Sequence, residues 1–125
     1  MKKSDITIAG KTVTLGYCYA TEIAYKDIAG GDINDFILEV GQAIEAQKMP
    51  DIKKTIYLIL AGIMAYYQSQ NEEAPITDAD LMNEATPLEL GKALGSIVTL
   101  RSQFYGIPSG EPKEKKTKGK KGKNS

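Results

Sequence analysis

Polar and apolar residues alternate with a period of two near the start of the chain. The alternation runs through residues 5–8 and again through residues 12–15, and a short segment containing Gly10 separates the two stretches. This combination is typical of a β-hairpin. A lone hairpin is not stable without a surface to pack on, so we expect this one to pack against the rest of the chain.

From about residue 20 onward, apolar residues recur at the three- and four-residue spacing of helices. This spacing predicts about five helices. The residues expected to face inward, from the first helix to the last, are Ile23, Ala24 and Ile28; Ile33, Phe36, Ile37, Val40 and Ile44; Ile52, Ile56, Ile59, Leu60, Ile63 and Tyr67; Leu81 and Met82; and Leu90, Leu94, Ile97 and Val98 with Phe104 or Tyr105.

Capping signals support several of these helix boundaries. Asp32 can cap the second helix. Thr77 with Asp80 three residues later, and Thr86 with Glu89, have the spacing of a capping box. The third helix contains a run of twelve apolar residues, 56–67, whereas a membrane-spanning helix needs about 20. We therefore expect it to be a buried central helix, and we expect no membrane partner.

Charge divides the 125-residue chain into two unlike parts. Residues 108–125 hold seven lysines and two glutamates, for a net charge of +5, and no hydrophobic residue follows Ile107. Such a segment cannot bury enough surface to offset the entropy of ordering it. The sequence thus predicts a mainly α fold: a small domain of about five helices with an N-terminal β-hairpin over residues 1–107, and a disordered Lys-rich tail over residues 108–125.

The composition excludes several kinds of catalysis. The chain has no histidine and one cysteine, so it has no His-activated nucleophile, no His-containing zinc site and no internal disulfide. Chemistry by carboxylates alone and oxygen-ligated metals remain open, but no spacing of acidic residues indicates either. We therefore expect no enzyme, no cofactor and no metal.

Three residues are candidates for contact with a partner. Gly91 and Gly95 lie one helical turn apart in the fifth helix, where each costs about 1 kcal/mol relative to alanine. Close approach of another helix, either internal or from a partner chain, would compensate for this cost. Tyr66 adjoins Tyr67, and one of two adjacent helical residues must point away from the main apolar face; we expect Tyr66 to be the exposed one.

The order of these elements resembles that of the tail assembly chaperones of long-tailed bacteriophages and prophages. The features that carry the resemblance are the hairpin with residues 8–13, the apolar helix with residues 56–61, the segment 75–82 and the amphipathic helix after it. Such proteins are small, mostly helical and without a catalytic signature. The resemblance covers about residues 5–107 and rests on this order rather than on an invariant motif.

The resemblance implies a function and partners. The chain is expected to bind and solubilise the tape-measure protein and to help recruit tail-tube subunits in the cytoplasm of the bacterial host. Members of the family are often made in two lengths by ribosomal slippage, and the lysine codons of the tail suit a slippery site. A longer frameshifted product is therefore a hypothesis, and the gene sequence tests it. A homo-oligomer is left open.

The alternative is a small DNA-associated regulatory or accessory protein that uses the basic tail. Lysines can bind phosphates by releasing counterions. However, the tail has no arginine or aromatic residue between its lysines, and residues 1–107 carry a net charge of −5, which repels nucleic acid. We therefore favour the first function and expect no nucleic-acid partner.

Overall fold

The computed structural model describes residues 1–107 and shows an antiparallel β-hairpin followed by five helices. The strands are β1 (Lys2–Ile8) and β2 (Lys11–Tyr17), and the helices are α1 (Tyr19–Ala29), α2 (Ile33–Glu45), α3 (Ile52–Ser69), α4 (Asp78–Glu84) and α5 (Pro87–Tyr105). The predicted fold class is therefore confirmed. The predicted disordered tail, residues 108–125, lies outside the described residues.

The hairpin turns tightly at Ala9 and Gly10, and its inner face joins the core. Both turn residues have positive φ, 53° and 76°, as in the type I′ turn whose twist matches that of paired strands. Ile8 pairs with Lys11 next to the turn. One face of the hairpin is buried, and its core residues are Ile8, Val13, Leu15 and Tyr17.

The third helix lies at the centre, as its apolar run predicts. Nine of the 18 residues of α3 are buried, and the helix packs against β2, α1, α4 and α5. Gly62 makes this packing close: a Cβ there would collide with Cδ1 of Ile97 and lie 3.2 Å from Cδ2 of Leu15. A side chain at position 62 would therefore require Ile97 to move, because α5 and the hairpin approach α3 at the same point.

Both capping boxes form as predicted. The Thr77 hydroxyl accepts the Asp80 N–H at 3.2 Å, and the Asp80 carboxylate accepts the Thr77 N–H at 2.9 Å. Thr86 and Glu89 repeat this arrangement at 3.2 and 3.0 Å. These local bonds satisfy the free N–H groups that every helix start leaves, and they set where α4 and α5 begin.

The predicted inner face of α1 is partly wrong. Ala24 and Ile28 are half-buried, but Ile23 is 62% exposed, whereas Thr21 and Tyr25 are fully buried. Tyr25 stacks on Phe36 of α2 with ring centroids 5.9 Å apart. Residues 23 and 25 lie about 200° apart around a helix, so burying the larger Tyr25 side chain turns Ile23 to the surface.

Three other residues expected to face inward are also exposed. Met82 is 47% exposed, because its neighbour Leu81 takes the buried position on the short helix α4. Ile44 at the end of α2 and Ile52 at the start of α3 are 67% and 57% exposed. These last two line the same groove.

Candidate partner-binding groove

An apolar groove lies between the end of α2, the α2–α3 connection and one side of α5. Its cavity has a volume of about 340 Å³, and among residues 1–107 Lys48 is the one charged residue in its lining. The apolar lining residues are Val40, Ile44, Met49, Pro50, Ile52, Leu90, Leu94 and Val98, together with Gly91 and Gly95. We call this surface the α2–α5 groove.

Several large apolar side chains on the rim of this groove are exposed to solvent. Met49, in the connection, is 63% exposed, so it joins Ile44 and Ile52 as a third aliphatic side chain that is mostly in contact with solvent. All three line the same groove. Single exposed apolar residues are ordinary, but several that converge on one concavity are typical of binding surfaces.

The short connection between α2 and α3 is held in place by its own hydrogen bonds. Gln47 adopts a positive φ of 57°, and the Lys48 N–H donates to the Ala43 carbonyl at 2.8 Å. At the other end, Asp51 caps α3 by accepting the Lys54 N–H at 2.9 Å. Met49 and Pro50 are therefore presented by a defined loop whose two ends are both bonded to helices.

Gly91 and Gly95 lie in the groove, and none of the five helices described within residues 1–107 packs closely on them. Both are exposed, and a Cβ built at either would meet no described atom within 4 Å beyond its immediate chain and helix surroundings. The internal alternative for these two glycines is therefore wrong, because the close helix approach occurs at Gly62 instead. The alternative that a partner chain approaches them stays a prediction.

Tyr66 lies elsewhere, on the hairpin side of α3. It is half-buried rather than fully exposed, and its Cβ would come within 3.1 Å of a Cβ at Gly16. Its ring meets that of Tyr67 edge-on at 4.9 Å, and the Lys3 ammonium lies 5.8 Å from the ring centroid. The structure thus brings Gly91 and Gly95 together but not Tyr66, whose role in binding stays a prediction.

A polar cluster that the sequence did not indicate joins α1, β2 and α5. The Glu22 carboxylate accepts the Tyr17 hydroxyl at 2.8 Å and also accepts the Tyr105 hydroxyl, while the Arg101 guanidinium lies 5.3 Å from the Tyr105 ring centroid. These residues are far apart in sequence, and no spacing signal could have grouped them. The cluster ties the end of α5 to α1.

The electrostatics of this cluster favour a structural role over catalysis. Burial, and then the hydrogen bond to Glu22, raise the pKa of Tyr17 well above its usual range. The hydrogen bond to Glu22 is also the main cause that raises the pKa of Tyr105 to about 12. Both phenols therefore keep their protons at neutral pH, and neither is an activated nucleophile or base.

Two further features concern residues 1–107 as a whole. Within that range no three histidine, cysteine, aspartate or glutamate side chains are grouped so that they could hold a metal ion. No helix in the same range is both long and apolar enough to cross a bilayer. The α2–α5 groove is the feature of the described residues that best fits a binding role.

The chain was compared with family models, curated proteins and solved structures. No family model matches the chain, and neither the curated proteins nor the solved structures give a match.

Proposed function

We propose that this chain is a non-catalytic tail assembly chaperone of a long-tailed phage or prophage. It binds the tape-measure protein, keeps it soluble in the host cytoplasm and helps recruit tail-tube subunits. The observation that carries the proposal is the α2–α5 groove with its uncovered Ile44, Met49 and Ile52. The order of hairpin and helices, on which the family resemblance depends, supports it as well.

The shape and chemistry of the groove suit the apolar face of a partner helix. Its wall on α5 runs from Leu90 to Val98, roughly 12 Å at the helical rise per residue. That length matches about two turns of a second helix, which would insert apolar side chains at i, i+3 or i+4, and i+7. A tape-measure protein is long and helical, so it offers many such faces.

The two glycines and the methionine favour an adaptable contact. Gly91 and Gly95 have no side chains, so the backbone of a partner can approach α5 closely. Met49 has an unbranched side chain that adjusts to differently shaped partners. A chaperone that holds many segments of one long client needs this tolerance more than it needs a single tight fit.

The test is co-expression with the tape-measure protein encoded in the same phage genome. The proposal expects the client to be soluble with the wild-type chain and largely insoluble with a Met49→Ser/Ile52→Ser variant, which makes the groove rim polar. Both residues are exposed, so this variant should keep the wild-type fold, which circular dichroism and thermal unfolding check.

The matched control is Ile23→Ser/Leu38→Ser, which removes two equally exposed apolar side chains outside the groove lining. It should keep the client soluble. Equal loss of solubility with both variants would contradict the groove as the binding site. A client that is just as insoluble with the wild-type chain as without it would contradict the function.

A further inference from the structure

The two edges of the hairpin are not equivalent. In a hairpin closed by a two-residue turn, the pair next to the turn is hydrogen-bonded, and bonded pairs then alternate with unbonded ones. With Ile8 paired to Lys11, the backbone groups of Lys3, Asp5 and Thr7 point away from β2. On β2, those of Thr12, Thr14 and Gly16 point away from β1.

The free edge of β2 is covered by its own chain. The Thr14 N–H donates to the Tyr67 hydroxyl at 3.3 Å, and the Gly16 carbonyl accepts the Thr21 hydroxyl at 2.9 Å. These two bonds also confirm the alternation, because they use the groups that it assigns to the outer edge. Helices α3 and α1 therefore leave no room for another strand on this side.

The free edge of β1 is open. Lys3, Asp5 and Thr7 are exposed, and among the described residues no side chain or loop hydrogen-bonds their outward backbone groups. Helix α5 runs beside this edge and lines concave space along it, with Ser96 and Lys92 as neighbours. An added strand would thus find unpaired donors and acceptors beside a concave surface lined by both polar and apolar side chains, and open edges capture strands through such unpaired groups.

We propose that β1 pairs antiparallel with β1 of a second copy of this chain, so that two hairpins form a four-stranded sheet. The charges along the free edge of β1 favour a second copy of this chain as the partner, and they favour one register of pairing. In the register that sets Lys3 opposite Asp5 of the second copy, two-fold symmetry forms the Lys–Asp pair twice. Opposite charges on facing strands stabilise a sheet, and like charges destabilise it.

The neighbouring symmetric registers are less favourable for the same reason. One sets Asp5 against Asp5, and the other sets Lys3 against Lys3. The favoured register also brings the two copies of Ser4 face to face as an unbonded pair, the closest kind in an antiparallel sheet. The proposed contact uses backbone groups of β1, and no β1 residue lines the α2–α5 groove, so the contact does not depend on the proposed chaperone function.

The first test is a charge swap in the full-length chain, with the mass in solution measured by light scattering or sedimentation. The wild type is expected to dimerise. Lys3→Asp alone or Asp5→Lys alone makes both cross-strand pairs like-charged and should raise the dimer dissociation constant about tenfold or more. The double variant Lys3→Asp/Asp5→Lys restores opposite charges and should restore the dimer.

Lys26→Asp and Asp27→Lys, which make the same charge changes on an exposed part of α1, are the matched controls and should leave the dimer intact. A chain that stays monomeric at high concentration would overturn the proposal. So would a dimer that is insensitive to both single swaps, because another surface must then hold it. A monomer whose edge variants lose the tape-measure protein would assign the edge to a client strand and also overturn self-pairing.

The second test reads the register directly. In a Cys18→Ser background, Ser4→Cys should give a disulfide-linked dimer under mild oxidation, because facing unbonded pairs in an antiparallel sheet have Cα atoms about 4.5 Å apart, within the range of a disulfide. Thr7→Cys, on the same strand but away from the symmetry axis, should cross-link far less. Equal cross-linking at both positions would contradict the register.

Discussion

Glycines in helices have opposite surroundings in two regions of this protein. Around Gly62, α3 is pressed against α5 and the hairpin so tightly that a Cβ would collide with Ile97. Around Gly91 and Gly95, α5 faces an open apolar groove, and within residues 1–107 a Cβ would meet no atom of another element within 4 Å. A helical glycine therefore does not by itself indicate close packing, because the elements that converge on it decide whether its space is filled.

The largest expected difference between the two regions is the cost of truncating an isoleucine. Ile59 and Ile52 lie two turns apart on α3, but Ile59 is fully buried and Ile52 is mostly exposed. Ile59→Ala should lower the free energy of unfolding by about 2–5 kcal/mol. Ile52→Ala should change it by less than about 0.5 kcal/mol. Urea unfolding measures both, and similar losses would mean that the groove is part of the core.

Adding a side chain at Gly62, where α3, α5 and the hairpin meet, should also destabilise the protein. Gly62→Val puts two methyl groups where Ile97 and Leu15 already lie, and overpacking of this kind costs about 1–3 kcal/mol. Thermal or urea unfolding of the variant checks this. A variant as stable as the wild type would show that α3 and α5 can separate freely, which would remove the contrast with the groove.

Adding a methyl group at Gly91 or Gly95, beside the α2–α5 groove, should instead stabilise the protein. Gly91→Ala and Gly95→Ala should each raise the free energy of unfolding by roughly 0.5–1 kcal/mol, because alanine is the better helix former and its Cβ would meet no atom of another element in the described part of the chain. The same substitutions add methyl groups on the α5 side of the groove and should weaken client binding in a pull-down. A loss of stability instead would indicate that another part of the chain covers the groove.

The smallest expected effect is an acid dependence of stability where the start of α5 meets the hairpin turn. The Glu89 carboxylate accepts the N–H groups of Thr86 and Ala9 at 3.0 and 3.2 Å, and these bonds lower its pKa below the ordinary value of 4.5. The ionised form thus stabilises the fold above pH 4.5, and this contribution is lost as the pH falls through the lowered pKa.

Glu89→Gln should therefore flatten the fall in unfolding free energy between neutral pH and pH 3. Urea unfolding at several pH values measures the slope. Glu84→Gln, which changes an exposed carboxylate on α4, is the control and should leave the slope near that of the wild type. Equal slopes for the wild type and Glu89→Gln would show that the carboxylate does not hold the hairpin turn to α5.

Local signals predicted the elements well. The alternation around Gly10 predicted the hairpin, the run 56–67 predicted a central helix, and the capping boxes at Thr77 and Thr86 form with the expected bonds. These predictions succeed because turns, caps and periodicity depend on residues only a few positions apart.

The orientation of helix faces was predicted less well. The helical spacing of Ile23, Ile44 and Ile52 suggested burial, yet all three are exposed. On α1, Tyr25 and Thr21 compete with Ile23 for the core, and the contact of Tyr25 with Phe36 decides the rotation of the helix. Such a competition depends on the neighbouring helix, which a single stretch of sequence does not contain.

The sequence by itself determined the kinds of elements, their order and ends, the absence of histidine chemistry and the split between an acidic body and a basic tail. Only the tertiary structure decided that Gly62 rather than Gly91 or Gly95 is the close contact, that an apolar groove stays open beside α5, and that one hairpin edge is covered while the other is free. The physical reason is that periodicity and capping are short-range properties. Filling a groove or covering a strand edge depends on segments that are distant in the chain and meet only in the folded protein.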